Sequence, residues 1–582
     1  MSLMPQLILL HAPAVYDFRK YPLLFGPIAD GVPSTPLFEM YPIGFFSILE
    51  YLEQHGIGVR IINLAVRMLG SDRFDAEKMI RGLNPKAFGI DLHWLVHAQG
   101  SLEVAKLCKQ YHPRIPVIFG GLSATYFHEE LIRYPVVDFI IRGDSTEEPL
   151  LQLMHAIIHH AHATLSTVPN LVWKDTSGEV HVNPFTHVPT ELNECSNNYV
   201  PVFKSALKYH DVQSLSPWKG WASHEWLDYP ISPVITCRGC IHNCSFCGGS
   251  RNALAGYCNR KRPAFRDPQL IAGDIIHIAR YTRAPIFIIG DLRQPGEAYA
   301  TTVLEGLKRA KIKNHLVFEL FDAAPKEYFE RMADSVEHFN FELSPDSHDE
   351  RIRAVEGKRY TNAEIEQNIE WALDSGCNRF DLFFMIGLPF QTCESVMETV
   401  EWCGYLMKRF GTRVVPFILP YSPFLDPGCP MYKDPEKYGY TIVFKTFEEY
   451  RTALLSPSWK YALSYETNWM TRDRIVECTY QAGLRLNKLK LECGLIDDTA
   501  FKNTEERITR AAELTARVDE IRTIDDEMVQ RERLLELKPM FDTLLNAVIN
   551  EKMQMSWPAA KRNLRFLPLI KAAIVESMGI QR

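Results

Sequence analysis

The sequence predicts an α/β protein of several domains, because strand-like and helix-like segments alternate in two separate series. The chain has 582 residues, and a prior of about 150 residues per domain suggests roughly three or four domains. We predict a doubly wound, Rossmann-like parallel sheet at 1–155, a linker with a hairpin at 156–230, a barrel of strands and helices at 231–425, and a largely helical region at 426–582.

The first series places small residues where a ligand would bind. Doubly wound parallel sheets bind ligands at the carboxyl ends of their strands. Gly120 and Gly121 follow one predicted strand, and Gly143 follows the last; glycine lets the backbone approach a ligand closely. No Gly-x-Gly-x-x-Gly pattern follows the first strand, so a nicotinamide dinucleotide is not favoured. The predicted strands are 6–11, 59–64, 87–93, 117–119 and 138–141, and the predicted helices are 43–54, 75–83, 102–111 and 129–134.

Composition argues against several classes of protein. Hydrophobic residues make up 46% and charged residues 23% of the chain, which are globular values. The net charge is −7 and the 64 basic residues are dispersed, so no nucleic-acid partner is expected. No run approaches the roughly 18–20 apolar residues of a membrane span, and the N-terminus lacks the leader of a signal peptide. We therefore expect a soluble, cytoplasmic protein.

Four of the 13 cysteines lie together, whereas most of the others stand singly in helix or strand patterns as free buried residues. An odd count in a long chain does not suit a secreted disulfide scaffold. Cys240, Cys244 and Cys247 have the spacing Cys-x3-Cys-x2-Cys. Three thiolates on one loop can hold three irons of a cubane and leave the fourth without a protein ligand, whereas electron-transfer clusters use four cysteines. An open metal position is typical of catalytic sites.

Two other metal sites compete with this interpretation. Cys237 with Cys240, and Cys244 with Cys247, form two Cys-x2-Cys pairs that could hold zinc. Only three residues separate these pairs, whereas zinc sites of this type leave about 15–20 residues between them. A bacterial ferredoxin run has the order x2, x2, x3, which this spacing does not match. Cys237 is therefore interpreted as a packing residue at a strand end.

The cysteine spacing, with Phe246 before the last cysteine, resembles the signature of radical S-adenosylmethionine (SAM) enzymes. Arg238 and Gly239 ahead of it are similar to the cobalamin-dependent branch of that family. About residues 5–155 resemble the cobalamin-binding domain found in front of many of these enzymes. The matching residues are Tyr41-Pro42-x-Gly44, Gly120-Gly121, and Val137-Asp138 leading to Gly143 and Glu147. The resemblance implies three cofactors, which are a [4Fe–4S] cluster, SAM and cobalamin.

For cobalamin, the resemblance implies contacts around the strand ends of the first sheet. The Asp-x-His-x-x-Gly motif that places a histidine on cobalt in the methionine-synthase type is incomplete, because Val96 replaces the glycine after Asp91 and His93. It also follows the third predicted strand rather than the first. We therefore expect the loop at 92–95 to cover the lower face of the corrin without coordinating cobalt. The implied contact residues are Leu92, His93, Trp94, Gly120, Gly121, Ser123, Gly143 and Glu147.

The second series is similar to the partial (β/α)6 TIM-type barrel of the family. Active sites of such barrels lie at the carboxyl ends of the strands. The predicted strands are 233–236, 285–289, 316–320, 338–343, 379–386 and 414–419, with helices such as 268–281, 362–374 and 394–408 between them.

The resemblance also implies which strand-end residues contact SAM. Asp291 would lie near the methionine amino group, and Glu342 with Ser344 near the ribose and carboxylate. Gly387, in a Gly-Leu-Pro turn, and Phe246 would lie near the adenine. Two further candidates are Glu319 and Arg266. Beyond the cluster, no residue is assigned a catalytic role.

The regions outside the two series carry fewer signals. Residues 170–183 fit a hairpin with its turn at 175–178. Aromatic residues within 420–470 could line a substrate cavity or pack in a core. Residues 500–582 have apolar residues at helical spacing, which predicts amphipathic helices that close the barrel. A dimer contact or a substrate lid is the alternative for these helices.

The resemblance implies a cobalamin-dependent radical SAM enzyme that methylates an unactivated carbon. The reduced cluster would cleave SAM into methionine and a 5′-deoxyadenosyl radical, which would remove a hydrogen atom from the substrate. Methylcobalamin, recharged by a second SAM, would supply the methyl group. The expected partners are a one-electron reductant such as flavodoxin or ferredoxin, and a small-molecule, lipid or tetrapyrrole substrate that the fold cannot identify.

Three other functions are weighed against methylation. An oxidative cyclisation or ring rearrangement would use both cofactors, as in the oxygen-independent tetrapyrrole cyclase that the chain also resembles. A cobalamin sensor or carrier with a degenerate barrel would not need the complete set of three cysteines. A methylthiotransferase acting on transfer RNA is not favoured, because no set of three further cysteines lies before Cys195.

Overall fold

The computed structural model describes residues 4–27, 43–214, 232–421, 423–544, 548–550 and 554. Within them the chain forms a seven-stranded sheet, a six-stranded sheet and two small two-stranded sheets. Helices surround both large sheets, and a helical region follows the second. This architecture confirms the predicted fold class. Tyr41 and Pro42, which belong to the predicted cobalamin-domain pattern, lie outside the described residues.

The first sheet has the strand order β2-β1-β3-β4-β5-β6-β7, and its first five strands run parallel. Side chains of β1 and β3 are buried along their whole length, because helices cover both faces of the sheet. This is the doubly wound sheet that the alternation predicts. Its strands are β1 Leu7–His11, β2 Val59–Asn63, β3 Ala87–Asp91, β4 Val117–Gly120, β5 Phe139–Ile141, β6 Leu171–Lys174 and β7 Val180–Val182.

The four predicted helices of this region form with bounds that differ by up to four residues, and further helices such as Leu64–Leu69 and Glu147–Ile158 were not predicted. The helix predicted at 102–111 begins earlier, at Ala98. Gly100 lies in its first turn, and a Cβ placed there would lie 1.8 Å from the carbonyl oxygen of Pro13. Close packing thus favours a glycine in a turn that propensity alone disfavours. The helices are α1 Gly44–Gln54, α2 Leu64–Leu69, α3 Ala76–Arg81, α4 Ala98–Tyr111, α5 Leu122–Tyr126, α6 His128–Leu131, α7 Glu147–Ile158 and α8 Val200–Lys208.

The hairpin predicted at 170–183 forms from β6 and β7. The Asp175 carboxylate accepts hydrogen bonds from the amides of Ser177 and Glu179 at 2.8 and 3.0 Å, which shapes the turn. However, β6 pairs antiparallel with β5, so the hairpin extends the first sheet rather than standing in a linker. The predicted division at residue 155 therefore cuts through this sheet, because β6 supplies the pairing that the edge of β5 needs.

The second sheet has the order β15-β14-β13-β12-β11-β8, and all of its strands run parallel. Six strands were predicted, and six form a partial barrel. The fourth strand is longer than predicted and continues to Asp346, with a shift in register after Leu343. The strands are β8 Ser232–Ile235, β11 Ile286–Ile289, β12 Leu316–Leu320, β13 Phe339–Asp346, β14 Arg379–Ile386 and β15 Val414–Pro420, beside a short antiparallel pair, β9 Cys237–Arg238 and β10 Ala264–Phe265.

Five of the seven helices in this part of the described chain begin with side-chain caps. Thr361 and Thr392 each cap a helix in a capping box, which satisfies backbone N–H groups that have no partner within the helix. The helices are α9 Arg251–Tyr257, α10 Pro268–Tyr281, α11 Glu297–Ala310, α12 Lys326–Ser335, α13 Glu350–Val355, α14 Asn362–Asp374 and α15 Cys393–Phe410.

The C-terminal region packs on the barrel. Helix α20 lies against α15 and β15, and Leu495, which follows α20, packs with Val415 and Phe417 of β15. Trp459 is buried, and its indole N–H donates to the hydroxyl of Tyr480 at 2.9 Å. The elements are β16 Tyr440–Ile442 and β17 Tyr465–Thr467, with helices α16 Pro430–Lys433, α17 Pro435–Tyr438, α18 Phe447–Ala453, α19 Trp459–Ala462, α20 Arg472–Glu492, α21 Asp498–Arg522, α22 Glu527–Glu536 and α23 Lys538–Asp542.

Helix α21 packs on α20 rather than directly on the barrel strands, and most of residues 545–582 lie outside the described residues, so the closing of the barrel by helices at 500–582 stays a prediction. In the part of the chain that the structure describes, no helix combines the length and the apolar character needed to cross a membrane.

Candidate functional site

A cavity of about 410 Å³ opens at the carboxyl ends of β1, β3, β4 and β5. Apolar side chains and glycines form most of its wall. Ile235 and Arg238, from the start of the barrel, complete the wall. The position is the one at which doubly wound sheets bind their ligands, and a cavity of this character is a general mark of a cofactor site.

Gly120 and Gly121 form one edge of this cavity. Gly121 has a φ of +112°, and a Cβ placed on it would lie 2.5 Å from the backbone nitrogen of His93. The loops after β3 and β4 are hydrogen-bonded to each other here, since the Leu92 amide donates to the carbonyl of Gly120 at 2.8 Å. A side chain at position 121 would therefore force the two loops apart. The edge remains backbone only, which lets a large ligand approach closely.

A buried carboxylate shared by two histidines lies beside this wall. Asp91 accepts hydrogen bonds from Nδ1 of His11 at 2.9 Å and from Nδ1 of His93 at 2.6 Å. Burial alone would raise the pKa of Asp91, but the two histidines hold its pKa well below the usual range. Because Nδ1 of His93 is engaged, Nε2 is the ring nitrogen left for a ligand. Asp91 therefore fixes the orientation of a ring that lines the cavity.

Six of the eight predicted cobalamin contacts line the cavity, and two do not. Leu92 is fully buried, and its carbonyl accepts from the amide of Ser123, so both lie behind the wall. The carboxylate of Glu147 is engaged by the Arg238 guanidinium and by the Ser47 hydroxyl, which donates at 2.6 Å. Glu147 therefore borders the cavity with its charge already paired. The six that line the cavity are His93, Trp94, Gly120, Gly121, Gly143 and Glu147.

The cavity fits a large cofactor with extended apolar faces, such as cobalamin. Trp94 is 41% exposed and lies at the cavity, where its broad apolar ring can cover a ligand. The backbone edge at Gly121 and the apolar wall provide close approach. Nε2 of His93, the ring nitrogen that Asp91 does not engage, can provide a polar contact.

The three cluster cysteines lie on the loop between β9 and α9, beyond the carboxyl end of β8. Other parts of the chain hold this loop through its backbone. The Ser245 carbonyl accepts from the Met431 amide at 2.9 Å, and the Gly248 amide donates to the Asp426 carboxylate at 2.9 Å. These contacts pre-organise the loop, which a metal site needs in order to bind with defined geometry.

Hydrogen bonds and burial determine the chemistry of the sulfurs. The amides of His242 and Gly249 donate to Sγ of Cys240 and Cys247 at 3.4 and 3.3 Å. Burial raises the pKa of all three thiols, that of Cys244 to about 11. Buried thiolates of this kind are stable only when a metal balances their charge. The donor set is therefore suited to a bound metal cluster.

The arrangement of the sulfurs does not fit the alternative zinc site. A zinc–sulfur distance of about 2.3 Å places the four sulfurs of a tetrahedral site roughly 3.8 Å apart. Across the described ranges, no three cysteine sulfurs lie within 4.8 Å of one another. Cys237 instead donates to the Gly239 carbonyl, with 3.5 Å between sulfur and oxygen. A cubane, whose three cysteines bind three different irons, fits the wider spacing.

Asp291, which follows β11, accepts hydrogen bonds from other groups of the protein. Its two carboxylate oxygens accept from Nε and Nη2 of Arg293, at 3.0 and 2.5 Å, and one also accepts from the Phe321 amide at 3.0 Å. Glu319, near the end of β12, accepts from the Gly290 amide. Burial raises the pKa of Glu319 to about 7, with a smaller contribution from Asp291.

Glu342 lies between two other acids inside the barrel. It is in register with Glu319 on β12 and with Asp381 on β14. Its neighbour Phe341 packs on Phe329 of α12 with ring centres 5.2 Å apart, so the acids, on the opposite face of each strand, point into the barrel. Burial, then Asp381 and Glu319, raise the pKa of Glu342 well above its usual value. Burial and the two neighbouring acids therefore favour the neutral form of Glu342.

Ser344 contributes its backbone rather than its hydroxyl to this network. Its carbonyl accepts from Nζ of Lys358 at 2.5 Å and from the Tyr360 hydroxyl at 3.1 Å. Lys358 also pairs with Asp346 at 2.6 Å, and its ammonium lies 5.5 Å from the ring centre of Phe246. Lys358 is thus a cation beside the cluster loop that the sequence analysis missed. No local pattern marks it, because it comes from the loop after α13.

The remaining predicted residues divide into two groups. Phe246 lies with its ring centre 4.8 Å from that of Tyr421. Gly387 has a φ of +98°, and a Cβ there would lie 2.5 Å from the hydroxyl oxygen of Tyr465; both residues border the mouth of the barrel. Arg266 does not, because its guanidinium binds a carboxylate of α10 at 2.9 Å and backbone carbonyls of the segment before β8.

Two family models match the chain. The model of the B12 binding domain matches residues 31–150, and the model of the Radical SAM superfamily matches residues 234–403. The first segment includes the carboxyl ends of β3, β4 and β5, three of the four strands that form the cavity. The second includes the cysteine loop and most of the barrel.

One curated relative and two solved structures are similar to the chain. The anaerobic magnesium-protoporphyrin IX monomethyl ester cyclase of Synechocystis sp. is 24% identical over 180 residues, which make up 31% of this chain and 31% of that protein. TsrM from Kitasatospora setae, a radical SAM methyltransferase solved with cobalamin and a [4Fe–4S] cluster, is 15% identical with a TM-score of 0.55, over 85% of this chain and 90% of TsrM. OxsB, a cobalamin-dependent SAM radical enzyme solved with aqua-cobalamin and SAM, is 12% identical with a TM-score of 0.54, over 99% of this chain and 81% of OxsB. At these identities the structural likeness shows the fold.

The chain combines a parallel sheet that has a ligand cavity with a partial barrel whose first loop carries three cysteines. This combination defines a cobalamin-binding radical SAM protein. The chain thus contains a segment that matches the B12 binding domain and a segment that matches the Radical SAM superfamily, in the order found in radical SAM enzymes with an N-terminal cobalamin-binding domain. Its cofactors are accordingly cobalamin, a [4Fe–4S] cluster and SAM. We therefore describe it as a cobalamin-dependent radical SAM enzyme.

Proposed function

We propose that this enzyme methylates an unactivated carbon of its substrate. The observation that carries the proposal is the shared wall of the two cofactor sites, since Arg238, two residues before Cys240, lines the cobalamin cavity. A methyl group held in the cavity and a radical formed at the cluster would therefore reach the same substrate. TsrM, a radical SAM methyltransferase, has a similar fold.

The bound cofactors would supply a 5′-deoxyadenosyl radical for hydrogen abstraction and a methyl group carried by cobalt. The chain binds and orients them. Cys240, Cys244 and Cys247 would hold three irons and leave the fourth for SAM. The cluster loop and the C-terminal helices would enclose the radical and limit its side reactions with other molecules from solution.

For SAM, we propose contacts at the barrel mouth that respect the pairing seen there. Because Arg293 occupies Asp291, Glu319 is the better partner for the methionine amino group, which needs a carboxylate when buried. The other proposed contacts are Phe246 and Gly387 for the adenine, and Glu342 and Ser344 for the ribose and carboxylate.

For cobalamin, we propose contacts with the residues that line the cavity, not with Leu92 and Ser123 behind it. The loop with His93 and Trp94 would cover the lower face of the corrin. Glycines at 120, 121 and 143 would let the backbone approach its edge. Glu147 would act on the cofactor only through Arg238.

The test is product analysis with a reconstituted holoenzyme kept free of oxygen. Each methylation consumes two SAM molecules and two electrons from a one-electron reductant. It yields methylated substrate, methionine, 5′-deoxyadenosine and S-adenosylhomocysteine. We expect equal amounts of the last two products when substrate is present. Formation of 5′-deoxyadenosine without S-adenosylhomocysteine would contradict methyl transfer.

The second candidate is an oxidative cyclisation or ring rearrangement. The cyclase of Synechocystis sp., whose name describes such a reaction, aligns with about a third of this chain. The same product analysis separates the two, because cyclisation releases methionine and 5′-deoxyadenosine but no S-adenosylhomocysteine. A cobalamin sensor would release neither product, although the complete cysteine set favours an active barrel.

The partners follow from the chemistry. We propose a flavodoxin or ferredoxin as the electron donor, in keeping with a cytoplasmic enzyme, and a small-molecule, lipid or tetrapyrrole substrate. We also propose that the cobalamin-binding domain includes the hairpin of β6 and β7, that the barrel begins near residue 231, and that the helices after residue 426 close it.

A further inference from the structure

Two arginines beside the cluster loop bind a single loop of the cobalamin-binding domain. Residues 143–147 follow β5, and four of them line the cavity, which are Gly143, Asp144, Thr146 and Glu147. The carboxylates of Asp144 and Glu147 point away from their own sheet and toward the barrel. Their partners are Arg260 and Arg238, which lie on either side of the cluster loop in the chain.

Both arginine–carboxylate contacts are bidentate. Glu147 accepts from the two terminal nitrogens of Arg238, one at 2.9 Å, and from the Ser47 hydroxyl at 2.6 Å. Asp144 accepts from Nε and Nη2 of Arg260, the latter at 2.8 Å. The side chains of Arg238 and Glu147 are 13% and 7% exposed, and those of Arg260 and Asp144 are 2% and 12% exposed. Solvent and salt therefore screen these pairs weakly.

The cluster loop itself makes room for one of these arginines. Gly239 has a φ of +93°, and a Cβ placed there would lie 2.8 Å from Cδ of Arg260. Arg260 thus reaches Asp144 by crossing directly over the backbone that leads to the first cluster cysteine. Any movement of loop 143–147 would be transmitted to both ends of the cluster loop.

We propose that Glu147–Arg238 and Asp144–Arg260, together called the clamp, position bound cobalamin relative to the cluster. A two-pronged arginine–carboxylate pair fixes both distance and orientation, unlike a single charge contact. The clamp residues are positioning residues, because they act through the two loops rather than on the reacting atoms. Such positioning matters because a displacement of about 1 Å can reduce a rate by roughly 100-fold. The proposal rests on both cofactors being bound, and not on which reaction they perform.

The chain offers a matched control for a role in folding alone. Asp211 is buried and pairs with Arg60 at 3.0 Å and with Arg67 at 2.7 Å. All three lie on the cobalamin-domain side, and none lines the cavity. Breaking this pair removes a buried arginine–carboxylate contact without touching the clamp.

The test measures the distance between the two cofactors in the holoenzyme. Pulsed EPR detects the interaction between the unpaired electron of the reduced cluster and that of cob(II)alamin. We expect one narrow distance in the wild type and a broadened or longer distribution in Glu147→Gln. Arg238→Lys keeps the charge but loses the two-pronged contact, so a smaller shift is expected. Asp211→Asn should lower the unfolding temperature and leave the distance unchanged.

The distance distributions of the variants decide whether the clamp positions the cofactors. An unchanged distribution in both Glu147→Gln and Arg238→Lys overturns the clamp, and so does an equal broadening in Asp211→Asn. If Glu147→Gln does not load cobalamin, Asp144→Asn replaces it, and the same criteria apply. A wild-type enzyme that binds both cofactors without any interaction between their spins would instead contradict the proposed function, because the cofactors could not share a substrate.

Discussion

The cobalamin cavity and the barrel mouth differ in the kind of groups that line them. The cavity is built largely from backbone and apolar side chains, and its acids at 144 and 147 are paired with barrel arginines. The barrel interior instead holds three acids in register, Glu319, Glu342 and Asp381. The first region therefore depends mainly on shape. The second region presents acidic side chains instead, and burial raises the pKa of Glu319 and Glu342.

The largest effect is expected at the cluster cysteines. Replacing any of Cys240, Cys244 or Cys247 with alanine should abolish iron loading and SAM cleavage, because each thiolate holds a different iron. Cobalamin binding should persist, since the cavity lies on another sheet. Iron content and 5′-deoxyadenosine formation measure this. Cys237→Ala is the matched control and should keep its cluster; loss of metal in that variant would restore the four-cysteine zinc site.

The cavity should respond to shape instead. Gly121→Ala places a Cβ 2.5 Å from the His93 backbone at a φ of +112°. We expect cobalamin affinity to fall by roughly 10- to 100-fold, which corresponds to strain of about 1–3 kcal/mol. Cluster loading should not change. Titration of the apoprotein with cobalamin, followed by absorbance, measures the affinity.

Gly178→Ala controls for backbone strain in the previous experiment. Gly178 also has a positive φ, +87°, but nothing lies within 4 Å of its added Cβ, and it is on the hairpin turn. Cobalamin affinity should be unchanged in this variant. Equal losses in the two variants would mean that general strain, and not the edge at Gly121, weakens binding.

The smallest effect concerns charge in the barrel. Burial raises the pKa of Glu319 from 4.5 to about 7, so the folded protein binds this proton more tightly than the unfolded chain. Stability should therefore fall as the pH rises from about 4.5 to 7, by up to about 3 kcal/mol. Glu319→Gln should remove this loss and raise the unfolding midpoint of the cofactor-free protein at pH 8, with little change near pH 5. The exposed Glu330→Gln should behave as wild type, and a parallel pH dependence in all three proteins would contradict the shift.

Several elements could be predicted with their exact limits because their signals are local. Leu316–Leu320, Arg379–Ile386, Pro268–Tyr281 and Asn362–Asp374 have the bounds that hydrophobic periodicity indicates. The cysteine spacing is also a local signal, and it was enough to predict the cluster loop and its open iron. The extension of β13 to Asp346 was missed, because the register shift there depends on pairing with β14.

The sequence by itself predicted the strand end at Gly120 and Gly121 and the loop that carries three cysteines, since strand ends, turns and spacings are encoded by neighbouring residues. Only the tertiary structure decided which charges are free. Asp291 is taken by Arg293, Glu147 by Arg238, and Lys358 stands beside Phe246. Contacts such as Glu147–Arg238 join residues far apart in the chain, and such pairs have no period or spacing that a single sequence could reveal.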